Sequence, residues 1–141
     1  MPSHLMPTQE AGRAFVMRGI SGPVTMLNLL RFHDVADYSA TPDLAPPSPI
    51  SGEEAFRRYV VHTLPFLAES GGELLYLGAG GPYLIGPQGR GWHQAMLVRQ
   101  ASVQSFLAFA DNPAYLAGLG HRIAALADSR LLPLTDLPIP A

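Results

Sequence analysis

The chain has 141 residues, enough for one domain that buries roughly 70% of its unfolded surface without a covalent staple. It has no cysteine, and nine arginines make up the whole Lys+Arg count, so there is no lysine; disulfides, thiolate chemistry, cysteine-bound metals, Schiff-base catalysis and a P-loop are excluded. A formal net charge of -2 with dispersed arginines argues against nucleic acid as the main partner.

In chain order, Thr8 caps a short helix carrying Ala11 and Phe15, with Gly19 as its stop. The first ten residues have no apolar h-region, and the longest apolar runs are too short to cross a bilayer. Neither membrane nor export is therefore expected, and cytoplasmic residence is the default. After Gly22-Pro23, Val24 to Phe32 reads as a strand. It is apolar on both parities, so both of its faces should be covered. From His33 to Ile50, Pro42, Pro46, Pro47 and Pro49 forbid regular structure. Long loops of this kind are often lids, and Tyr38 is the residue expected to reach a ligand.

Ser51 and Glu54 form a capping-box signature for a second helix. Ala55, Phe56, Tyr59, Val60, Thr63 and Leu67 line one side of it, while Glu54, Arg58 and His62 line another; Pro65 predicts a kink, and Gly71-Gly72 ends it. Glu73 to Gly78 and Tyr83 to Gly86 read as two short strands around a Gly80-Gly81 turn, and Trp92 to Arg99 as the next strand. Ser102 caps a helix, Asn112-Pro113 starts another carrying Leu116, Leu119, Ile123 and Leu126, and Arg130 to Leu134 is a final edge segment.

This order predicts an α+β, ferredoxin-like split βαβ antiparallel sheet with helices on one face. The other face is left bare and apolar, so two subunits are expected to pack sheet on sheet as a homodimer, forming an α/β barrel. The expected organisation is an N-terminal helical extension over 1–22, a ferredoxin-like domain over 23–134 containing the proline-rich loop 33–50, and a tail over 135–141.

Tyr59, Pro65, Gly71-Gly72, Gly78, Gly80-Gly81, Gly86, Trp92 to Arg99, Pro113, Tyr115, Arg122 and Asp128, in this order, resemble an uncharacterised domain-of-unknown-function family of the dimeric α/β-barrel superfamily. The likeness covers roughly Pro23 to Leu134. It implies a small homodimer with a ligand pocket. The superfamily includes cofactor-free monooxygenases, isomerases and cyclases acting on small aromatic or lactone substrates, together with haem-degrading enzymes. The chain departs from that pattern in its N-terminal helix, in its proline-rich loop, and in having His93 where an acidic residue usually follows the tryptophan.

The residues then suggest two kinds of function. One is cofactor-independent chemistry of the monooxygenase, isomerase or cyclase type on a small, flat, oxygenated substrate. Asn28, an amide inside an apolar strand, would point into an inter-sheet cavity and orient an oxygen, Arg31 would hold a carboxylate or enolate from the strand end, and His62 would move a proton. Tyr38, Tyr59, Trp92, Gln94 and Met96 would shape the pocket, the last three sharing a strand parity, with Trp92 across from Asn28. The other kind is a non-catalytic ligand-binding or stress-related dimer; haem binding is a third reading. Against the functional roles stand duller ones: Asn28 as a core tie, Arg31 in a salt bridge to Asp34 or Asp37, and His62 as a surface residue. No two histidines fall at i,i+3 or i,i+4, so no metal site is expected, and no cofactor is expected either. The expected partners are a second copy of the chain and a small molecule.

Overall fold

The computed structural model describes residues 3–140. A first helix, α1 (Gln9–Met17), leads into β1 (Val24–Phe32). A loop with a single 3-10 turn at Pro42–Leu44 follows, then the long helix α2 (Gly52–Glu69). The hairpin strands β2 (Glu73–Pro82) and β3 (Gly91–Gln100) come next, then the helices α3 (Val103–Ala110), α4 (Pro113–Leu116) and α5 (Leu119–Ala125), and finally β4 (Leu126–Leu134). All strand pairs are antiparallel, in the order β2-β3-β1-β4. This is the ferredoxin-like arrangement expected from the sequence.

The caps are those read from the residues. The Ser51 hydroxyl accepts the Glu54 N–H, and the side chains of Thr8, Ser102 and Asn112 cap their helices in the same manner. The Glu54 carboxylate does not complete the box; it accepts from Arg57 instead. α2 continues through Pro65 as one helix to Glu69.

The two faces of the sheet differ. Val24, Met26, Leu30 and Phe32 are buried under the helix layer, where Leu30, Phe56, Ala124, Ala125 and Leu126 form the core. On the opposite face the register lines up Leu132, Leu27, Leu97 and Tyr76 in one apolar row across all four strands. Among the described residues no helix covers this row, and Leu132 and Tyr76 are 53% and 57% exposed.

Three segments depart from the sequence reading, the first being the helix expected from Asn112-Pro113, which divides into α4 and α5. Gly80-Gly81 is not a turn: β2 runs on to Pro82, and the connection to β3 spans 83–90. Gly80 lies so close to the Trp92 carbonyl of β3 that no Cβ would fit there. β4 begins at Leu126 rather than Arg130, because α5 ends at Ala125 and Leu126 is already extended.

Candidate functional site

The end of the sheet where β1, β3 and β4 converge brings together Arg31 and Trp92, two of the residues expected at a site. The Arg31 guanidinium carbon lies 4.4 Å from the centroid of the Trp92 ring, and that of Arg130 lies 5.2 Å from it. Arg31 is held by the Gly91 carbonyl, which accepts from Nε at 3.2 Å and from Nη2 at 2.6 Å. Its Nη1 approaches Asp128 Oδ2 at 3.5 Å. The other oxygen of Asp128 accepts from the His4 N–H, the Ser129 N–H and Arg130 Nη1. Burial would raise the Asp128 carboxyl, but these donors outweigh it and hold the group below the usual carboxylate range. Asp128 is thus an anionic hub between two guanidinium groups and the segment ahead of α1.

An open recess of about 370 Å³ adjoins this hub, lined by Arg31, Arg90, Trp92 and His93 with Gly81, Pro82, Gly89 and Gly91. Trp92 Nε1 donates to the Tyr83 hydroxyl at 2.6 Å. The Phe32 N–H donates to His93 Nδ1 at 2.9 Å, so the ring proton sits on Nε2. A second recess, about 290 Å³, lies between α2 and the hairpin, lined by Phe56, Val60, Val61, Leu77 and Gln94 with Ser51, Glu53, Glu54 and Arg57 at its rim.

Asn28 is not where its parity argument put it. It shares the helix-facing rows with Met26 and Leu30, paired with Met96 and Leu131, and it lines neither recess. Its half-buried Nδ2 donates to the Met26 carbonyl at 3.3 Å, a bond made within its own strand. Trp92 stands with Arg31 and Arg130 rather than across from Asn28. Arg31, from the opposite parity, reaches the site from the strand end as expected. Gln94 lines the recess beside α2, and Met96 and Tyr59 belong to the core.

Over its whole length the chain is similar to RPA0582, a protein of unknown function from Rhodopseudomonas palustris. The identity is 32%, covering 98% of this chain and 100% of that one, with a TM-score of 0.84. The structure of methylated RPA0582 gives a TM-score of 0.86 at the same identity, over 98% of each chain. This chain belongs to the RPA0582 family. At3g17210 from Arabidopsis thaliana shares the fold at 15% identity, with a TM-score of 0.52 over 84% of this chain and 99% of that one. No family model matches the chain, and no curated protein matches it.

In this member of the RPA0582 family the remaining polar groups tie the helix layer together. His62 Nε2 donates to the Ala114 carbonyl at 2.8 Å, and its ring lies where a Cβ on Gly118 would stand. His62 therefore clasps α4 and lines neither recess. Tyr38 is buried, with its hydroxyl 2.7 Å from His121 Nδ1, so it pins the proline-rich loop to α5 instead of reaching toward a ligand. Burial, with Arg58 and His62 nearby, lowers the His121 pKa, and burial raises that of Tyr38. The hydroxyls of Tyr59 and Tyr115 meet at 2.8 Å, and burial pushes Tyr115 above the usual phenol range. Among the described residues no three His, Asp or Glu side chains gather as a metal site, and no helix is long and apolar enough to cross a membrane. Sequence reasoning passed over Asp128, Arg130 and Arg90 as site residues. The only signal was the family-like place of Asp128, because Arg130 reaches Trp92 only through strand pairing.

Proposed function

We propose that the protein is a homodimeric small-molecule-binding protein whose ligand, small, flat and oxygenated, sits at the Arg31–Trp92 end of the sheet. One observation carries this: Arg31, Arg90, Trp92 and His93 surround a recess that adjoins the uncovered apolar face. Hydrogen-bond donors beside an indole suit a ligand with oxygen acceptors and a flat frame. Binding is favoured over base catalysis, because the His93 lone pair on Nδ1 already takes the Phe32 N–H.

The second copy covers the row Leu132, Leu27, Leu97 and Tyr76. Burying each large apolar side chain contributes about 1.5–3 kcal/mol before the cost of association, and a two-fold axis lets one self-complementary face serve both subunits. Trp92 is the only tryptophan, so its emission reports on the recess directly. Titration with the flat oxygenated probes benzoate and benzamide should change that emission saturably for at least one of them. The absence of any saturable change with both would sink the ligand-binding reading.

A further inference from the structure

We propose that the recess beside Trp92 is an anion site and that its ligand is held by a carboxylate, a step that rests on the ligand-binding reading above. Three guanidinium groups, those of Arg31, Arg130 and Arg90, stand on or beside this end of the sheet, whereas among the described residues the carboxylate bonded to them is that of Asp128 alone. Arg31 spends three of its five N–H groups on Gly91 and Asp128 and keeps two. Arg90 is exposed on the recess wall and makes no side-chain hydrogen bond or ion pair among the described residues. His93 presents Nε2–H, because its other nitrogen is taken.

Every uncommitted polar side-chain group lining the recess is therefore a donor. The remaining lining residues are glycines and a proline, without polar side chains, and the Gly91 carbonyl is already used by Arg31. A neutral carbonyl would satisfy donors and leave the charge surplus; a carboxylate does both, and its hydrogen bonds to guanidinium are about twice as strong as neutral ones. Asp128 acts here as a positioning residue: it holds Arg31 over the indole and does not itself line the recess.

Benzoate and benzamide separate this proposal from the reading beneath it, since they match in size and flatness and differ in charge. Followed by Trp92 emission on the full chain, benzoate should bind at least about tenfold more tightly than benzamide. The preference should shrink as salt is raised. Arg90→Gln, in an exposed loop and checked for an unchanged melting temperature, should weaken benzoate far more than benzamide and so shrink the preference. Equal affinities in the wild type would overturn the anion assignment and leave ligand binding standing. Silence with both probes would overturn both readings. A benzoate preference that survives Arg90→Gln and high salt would place the anion elsewhere and overturn the proposal.

Discussion

The two faces of the sheet start from similar composition and end differently. β1 is apolar on both parities, yet Val24, Met26, Leu30 and Phe32 are buried under the helices, whereas Leu27 and Leu29 on the other face are only half-buried. The helix face is held by interlocking side chains: Phe32 against Phe56, Phe56 against Tyr59, and Tyr59 bonded to Tyr115. The bare face is a flat apolar row that ends in the charged hub of Asp128, Arg31 and Arg130. One face thus specifies the fold of the subunit, and the other is left to specify what the subunit meets.

Truncation on each face sharpens that contrast. Phe56→Ala opens a cavity in the closed layer and should lower unfolding free energy by about 3–5 kcal/mol in chemical denaturation. Gly118→Ala forces a Cβ into the His62 ring and should cost about 1–3 kcal/mol, with α4 loosening first in hydrogen exchange. Tyr38→Phe removes the hydrogen bond to His121 and should cost about 1 kcal/mol. On the bare face, Leu132→Ala should change the unfolding free energy of the isolated subunit by less than about 1 kcal/mol; a cost as large as that of Phe56→Ala would erase the distinction between the faces.

The smallest expected effect is a pH dependence. The folded-state pKa of His121 is lowered by burial and by the nearby Arg58 and His62 side chains. Between that value and about 6.5 the unfolded chain binds more protons than the folded one, so this group makes stability fall as pH drops below about 6.5. His121→Gln should flatten the melting-temperature profile in that window. An unchanged profile would show that the dyad does not titrate with folding.

Much of this architecture is legible from local chemistry. Val24–Phe32 is bounded by Gly22-Pro23 on one side and a run of prolines on the other, and Ser51, Ser102 and Asn112 announce their helices through caps that need only neighbouring N–H groups. What escaped depends on non-local contact. Gly80 looks like a turn residue until the Trp92 carbonyl opposite it is known. Leu126 continues the helical spacing of Leu119 and Ile123, but pairing with Phe32 makes it a strand residue. The bond of Asn28 to the Met26 carbonyl depends on the strand's geometry and is invisible in composition. Arg31 and Trp92 were identified singly, whereas the carboxylate that holds Arg31 in place lies 97 residues further along the chain.

The central claim is that the bare face is the surface on which two copies meet. Sedimentation equilibrium of the wild type and of Leu27→Glu, in the middle of the apolar row, tests it most directly. The account predicts a wild-type dimer at micromolar concentration, and a variant that sediments as a monomer with an unchanged far-UV circular dichroism spectrum, because the two-fold axis brings the new charges together. A wild type that remains a clean monomer, or a variant that dimerises as tightly as the wild type, would contradict it.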